Sequence, residues 1–261
     1  MRSTVHISLI LLVLLLAACA RVPTTLRPYT DQPPQQLLQE VDAAIYSPIG
    51  AGLESLRADL LVDVAGFYAE ENRPDEPVWI PALFVYDRGR VRFDLPPLPP
   101  EIQPLEERLL ATLQGKEEDI LYRPFSQRLE DTQLEVRVSS QRLLEIHAVD
   151  APENVRWVVT VDEQFRVPQL RVETPAGIVQ SLLEYTDDAP ALIRQIESRF
   201  AGDQQDMLVT VDIGDYREID GYHIPHELTY TGRVNQLAFP PLTLRLQNVR
   251  VDDAARGNRQ R

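Results

Sequence analysis

Residues 155–187, VRWVVTVDEQFRVPQLRVETPAGIVQSLLEYTD, decide the fold. Val155, Trp157, Val159 and Val161 recur at every second position, the period of a strand with one face buried. Leu170–Glu173 and Ile178–Tyr185 continue as strands on either side of Thr174-Pro175-Ala176-Gly177. Proline and glycine there supply the backbone geometry of a reversal, so the two form a hairpin.

The same pattern spreads in both directions. Upstream, Leu134, Val136 and Val138, then Leu144, Ile146 and Ala148, are separated by Ser139-Ser140 and reach residue 155 through Ala151-Pro152-Glu153-Asn154, an antiparallel meander. Further upstream, Leu56, Ala58, Leu60, Val62 and Val64 make a long half-buried strand, and Val78–Tyr86 and Arg90–Leu95 flank the turn Asp87-Arg88-Gly89. Downstream lie Met207–Ile213, Tyr222–Tyr230 and Val234–Val251, with turns expected at Asp220-Gly221 and Thr231-Gly232. Apolar parity in the last strand shifts between Leu246 and Val249, which predicts a bulge.

Helical spacing appears in three places. Leu37, Leu38, Val41 and Ile45 define an amphipathic helix over Gln35–Tyr46, ended by Ser47-Pro48. Ile102, Leu105, Leu109, Leu110 and Leu113 define a second, ended near Gly115 and led in by LPPLPPEIQP, residues 95–104, a rigid connector. A third is expected after a cap at Asp187 or Asp188, with Pro190 in its first turn and Ile193, Ile196 and Phe200 on one face. The architecture predicted is α+β and mainly β: a single domain over residues 35–252, an unclosed antiparallel half-barrel of about ten strands with about three helices plugging or covering its mouth. Residues 253–261 read as a disordered tail.

Composition narrows the function classes. With 26 basic against 40 acidic side chains the net charge is −14, which argues against nucleic acid as a partner because phosphate contacts need a basic face. It also argues against adhesion to anionic headgroups. All the basic residues but Lys116 are arginine.

The N-terminus supplies another route to a membrane. Arg2 precedes an apolar run, Ile7–Leu16, which leads into Leu16-Ala17-Ala18-Cys19. The run is too short to span a bilayer comfortably and has the layout of a secretory signal. Cys19 is the only cysteine, and Leu-Ala-Ala-Cys resembles the bacterial lipobox. The resemblance implies a lipoprotein signal peptide over residues 1–18, cleavage between Ala18 and Cys19, and acylation of Cys19. Ala20 in place of an aspartate implies the outer membrane rather than retention at the inner one. Three acyl chains at ~0.8 kcal/mol per buried methylene would anchor the chain stably. Residues 19–34 then comprise the acylated cysteine and a Pro-rich tether, reaching about 45 Å at ~3.1 Å per residue.

The order of elements resembles the LolA/LolB-like family of lipoprotein carriers and receptors. Residues 155–187 are similar to that family's strand, Pro-x-Gly turn and strand ending in an aromatic and an acid. Residues 219–251 are similar to its Asp-Gly-x-x-x-Pro hairpin and final Leu-x-Asn-Val-x-Val strand. The resemblance implies a half-barrel cavity for acyl chains. It departs at Pro81-Ala82-Leu83-Phe84-Val85, where valine stands at the position of an arginine that carriers use in opening and closing the cavity. With a lipobox of its own, the chain is more like the outer-membrane receptor branch of that family, or its lipid-anchored members of unknown role, than the soluble carriers.

Enzyme chemistry finds no motif. There is no Gly-x-Ser-x-Gly elbow or glycine-rich phosphate loop. Asp187-Asp188, Glu117-Glu118 and Glu70-Glu71 are solvated or capping acids rather than catalytic pairs. His223 and His226, three apart on an extended segment, point to opposite faces and do not make a metal site; His147 reads as a surface or core-edge residue. Neither a metal nor another cofactor is expected.

The expectation is a non-enzymatic, periplasm-facing lipoprotein of the bacterial outer membrane, holding lipoprotein acyl chains or lipid in sorting or envelope maintenance. Alternation selects Leu56, Leu60, Val62, Val91, Phe93, Trp157, Val159 and Val211 as cavity lining; Tyr230 and Phe239 could line a cavity as well, but aromatic residues at strand spacing are more often plain core. The alternative is a structural or regulatory lipoprotein that binds an envelope protein through the same fold, its interior filled by its own side chains.

Overall fold

In the computed structural model, which describes residues 27–68, 73–98, 103, 106–202 and 205–251, twelve strands form one sheet. They are β1 (Ser55–Asp63), β2 (Trp79–Asp87), β3 (Arg90–Asp94), β4 (Gln133–Val138), β5 (Leu144–Asp150), β6 (Val155–Val161), β7 (Gln169–Thr174), β8 (Gly177–Tyr185), β9 (Ile193–Ala201), β10 (Asp206–Ile219), β11 (Tyr222–Val234) and β12 (Leu237–Val251). The order is β3-β2-β1-β12-β11-β10-β9-β8-β7-β6-β5-β4. Every neighbouring pair is antiparallel. The edges, β3 and β4, do not pair with each other, so the half-barrel is unclosed. Positive φ at Arg88 and Gly89, at Asp220 and Gly221, and at Asn235 and Gln236 gives three tight two-residue hairpins whose twist matches that of the strands.

Helices cover the inner face. α1 (Arg27–Thr30) and α2 (Pro34–Ala44) precede β1, and α3 (Glu106–Leu113), α4 (Glu117–Leu121) and α5 (Phe125–Arg128) lie between β3 and β4 in the chain. The apolar stripe of α2, Leu37, Leu38 and Val41, is buried together with Leu109 and Leu113 of α3, Ile120 and Leu121 of α4, and Phe125 of α5. Against them stand the inward residues of the sheet, among them Leu60, Phe84, Ile146, Leu228 and Leu244, each fully buried. Burial of each such side chain contributes about 1.5–3 kcal/mol. Asp42 on α2 ties the layer together, its carboxylate accepting the Phe125 and Ser126 amides at 2.7 and 3.0 Å and thereby satisfying the exposed donors of α5. The outer face carries cross-strand pairs such as Arg245–Glu227 and Arg194–Glu184. These are exposed and add at most about 1 kcal/mol each.

Four expectations change. The third helix is strand β9. Its register against β8 shifts between Glu184 and Tyr185, which face Gln195 and Ile193. That bulge puts Ile193 and Ile196, three apart, on the same side of a strand, and so imitates helical spacing. The turn expected at Thr231-Gly232 lies at Asn235-Gln236, and Gly232 is inside β11. The tether expected over residues 19–34 is shorter, because α1 is helical and Tyr29 packs edge-on against Phe165 at 5.2 Å between ring centroids. Strands number twelve rather than about ten. The bulge late in the last strand is present: Asn248 and Val249 together oppose Ala58, with Asn248 at positive φ.

Residues 1–18, Cys19, Ala20–Leu26, Glu70-Glu71, Ile102, Leu105 and the tail 253–261 lie outside the described residues. Among the described residues no helix is long and apolar enough to cross a membrane.

Candidate functional site

The register places Val155, Thr174, Gly177, Ala201, Asp206, Val234 and Leu237 along one rim of the half-barrel. At that rim the β11–β12 ladder breaks. Tyr230 pairs with Leu242 and Gly232 with Phe239, so Pro240 and Pro241 together oppose the single residue Thr231. Proline donates no ladder hydrogen bond, which is why tandem prolines sit at a bulge. The short 3-10 turn Ala65–Phe67, which follows β1, rests on them. Gly66 is required there, since a Cβ would come within 2.4 Å of the Pro240 Cβ.

The bulge, the turn and the end of α3 enclose a cleft of about 320 Å³. Phe67, Met207, Val209, Val234, Phe239 and Leu242 supply most of its apolar wall, and Tyr230, Lys116 and Thr112 its polar groups. Gly115 positions the lysine. At φ +85° it ends α3 in the left-handed conformation, with the Lys116 amide donating to the Leu113 carbonyl at 3.0 Å, the usual glycine stop of a helix. The chain then turns so that the Lys116 ammonium stands 4.1 Å from the centre of the Tyr230 ring, a cation–π contact. The Tyr230 hydroxyl donates to Asp119 Oδ2 at 3.0 Å.

Burial governs the electrostatics of this group. It lowers the pKa of Lys116, against the opposing pull of Asp119 and Glu117, and raises that of Asp119, against the pull of Lys116 and the Tyr230 hydrogen bond. Tyr230 is raised well above its ordinary range by the same desolvation and by the neighbouring Asp119 charge.

The eight residues predicted to line a cavity share the inner face but lie outside this cleft. Leu56, Leu60, Val62, Val159 and Val211 are buried in the core, and Val91, Phe93 and Trp157 are half-buried against it. None of them lines the 320 Å³ cleft. Trp157 borders a depression of about 560 Å³ along β4–β7 that also presents Glu135, Arg137, His147, Arg156 and Glu173, a polar wall unsuited to an acyl chain. Tyr230 and Phe239, the aromatic candidates, do line the apolar cleft. Lys116 was not among the predicted cleft residues; it is marked in the chain by being the one lysine and by following a helix-ending glycine.

The other chemical candidates disperse. Glu118 pairs with Arg123 and Arg128, and Asp187 and Asp188 are exposed. His226 is buried on the inner face, while His223 lies edge-on to Tyr46 at 5.1 Å. Among the described residues no three His, Cys, Asp or Glu side chains converge. His147 pairs with Glu145 at 2.9 Å.

Fold and cleft together define an unclosed antiparallel half-barrel, lined with helices on its inner face and open to an apolar cleft at one rim. No protein-family model matches the chain, and no curated protein matches it. Among solved structures, LolA superfamily protein NE2245 from Nitrosomonas europaea is similar over 86% of this chain and 96% of that one, at 11% identity and a TM-score of 0.34.

Proposed function

We propose that the protein is a lipid-anchored, non-enzymatic member of the bacterial outer membrane, facing the periplasm, that holds an acyl chain in the rim cleft. The single observation that supports this is a preformed apolar cleft on the inner face of the sheet, where burial of a chain is favourable by ~0.8 kcal/mol per methylene. Its size sets the ligand. A volume of 320 Å³ is at the lower end of the ~300–1,000 Å³ range of small-molecule clefts. It admits one chain, or part of one, rather than the three chains of a lipoprotein. The anchor is Cys19, and the Cys19→Ser variant should lose incorporation of labelled palmitate.

Native mass spectrometry of the purified, delipidated protein tests ligand binding. Uptake of one equivalent of a photoactivatable acyl probe, with crosslinks at Phe67, Val209 or Phe239, is expected. A clean apo mass with no uptake would sink the reading.

The packed interior favours a second reading. Leu37, Leu38, Leu109, Leu113 and Phe125 are each at most 2% exposed and fill much of the inner face from the protein's own helices. A structural or regulatory lipoprotein that recognises an envelope protein needs no more room than that. Absence of acyl uptake together with copurification of one envelope protein at fixed stoichiometry would select it.

A further inference from the structure

We infer that the rim cleft is built for an amphiphile with an anionic head, a single acyl chain ending in a carboxylate or phosphate, and that Lys116 is the residue that recognises the head. This rests on the acyl-binding reading of the same cleft and adds the polar end of the ligand.

A chain of 25 arginines contains one lysine, and it sits in an apolar cleft at a sheet rim. Its ammonium lies over the Tyr230 ring. Among the described residues no carboxylate comes within 4.0 Å of it. Most charged residues on the outer face have such a partner, for example Arg199 with Asp206 and Arg217 with Asp215. A partly buried cation without an ion pair is costly to hold unless something completes it.

The two carboxylates nearby do not complete it. Asp119 is engaged by the Tyr230 hydroxyl and pushed by burial toward its neutral form. Glu117 has a buried Oε2 that makes no hydrogen bond. Neither lines the cleft. An anion entering with its acyl chain along Phe67, Val209, Phe239 and Leu242 would meet the ammonium directly, and it would do so where low dielectric strengthens the attraction.

The test compares dodecanoate, its methyl ester and dodecyl phosphate on the purified, delipidated full chain, with bound fractions read by native mass spectrometry. The wild type should take up an anionic probe about tenfold more tightly than the ester, the scale of one charge-assisted hydrogen bond. Lys116→Met should lose that preference, binding anions and ester alike, and Lys116→Arg should keep it. A lead of phosphate over carboxylate assigns a phospholipid-type head, and the reverse a free fatty acid. Equal binding of ester and anions by the wild type, or a preference that survives in Lys116→Met, overturns the inference while leaving acyl binding intact. If no probe binds, including the ester, acyl binding fails and this inference with it.

Discussion

Tyr230→Phe removes one oxygen from the centre of the candidate site, and its cost can be worked from the surroundings. The hydroxyl donates to Asp119 Oδ2 at 3.0 Å, with Tyr230 buried and Asp119 partly so. A hydrogen bond to an ionised group contributes about 1.5–3 kcal/mol, and one between neutral groups about 0.5–1.5 kcal/mol. Which applies depends on the charge of Asp119. Burial raises its folded-state pKa above the usual carboxylate range. Below the unfolded value of ~3.9 the acid is neutral in both states, so its burial carries no charge penalty. As pH rises through the folded pKa the buried carboxylate ionises, stability falls, and the phenol donor becomes most valuable. Tyr230→Phe should therefore destabilise by about 0.5–1.5 kcal/mol where Asp119 is neutral and by about 1.5–3 kcal/mol where it is ionised. At about 2–4 °C per kcal/mol for a chain of this size, the larger loss is a fall in Tm of about 3–12 °C. Urea unfolding of the variant and the wild type at a series of pH values from 4 upward measures both. A loss that does not grow anywhere along the series would refute the assignment of the phenol to an ionisable Asp119.

Three further outcomes follow from the packing. Gly232→Ala would place a Cβ 2.1 Å from the Leu208 carbonyl oxygen and 2.7 Å from the Phe239 ring, so a loss of about 3 kcal/mol is expected in urea unfolding. Leu38→Ala opens a void beneath α2, where Leu38 is 2% exposed, and should cost about 2–5 kcal/mol with the unfolding slope unchanged. His226 is buried, neither ring nitrogen makes a hydrogen bond of good geometry, and burial followed by the Arg217 charge lowers its pKa. The unfolded chain then takes up a proton near pH ~6.5 before the folded chain does, so stability drops as pH falls below that value; His226→Leu should flatten this dependence between pH 7 and 5.

What the chain reveals before folding depends on how local the cause is. Strict alternation in β1, β5 and β6 needs only one buried face, and these strands read correctly from Leu56, Ile146 and Val159 outward. β9 fails because the bulge opposite Glu184 shifts Ile193 and Ile196 onto one side, an effect set by the partner strand rather than by the segment. Gly232 fails for a related reason: it resembles a turn residue, but its role is to let the Leu208 backbone and the Phe239 ring approach. The inner face was legible, whereas depth along it was not. Alternation cannot say that α2 to α5 would cover Leu60 and Val62 and leave the open space at Tyr230 and Phe239. Lys116 carries no periodic pattern at all, and only its rarity marked it.

The position of the cleft constrains its orientation to the membrane if Cys19 is the anchor. Phe165, against which Tyr29 packs, lies in the connection from Val161 to Gln169. The pairing of Thr160 with Gln169 places that connection at the rim opposite the cleft. Asp206–Ile219, the strand β10 that runs from one rim to the other, extends about 43 Å at ~3.3 Å per residue, and somewhat less in height when tilted as barrel strands are. From Cys19 to Arg27 the chain reaches at most about 29 Å at ~3.6 Å per residue. A mouth pressed against the anchoring bilayer would need more than that length, so the geometry favours a cleft turned away from its own membrane. Bimane on Glu163→Cys and on Gln236→Cys, one at each rim, reports which end is nearer in vesicles carrying headgroup quenchers. Stronger quenching at position 163 is expected. Stronger quenching at position 236 would mean that the cleft draws its chain from the membrane that anchors it.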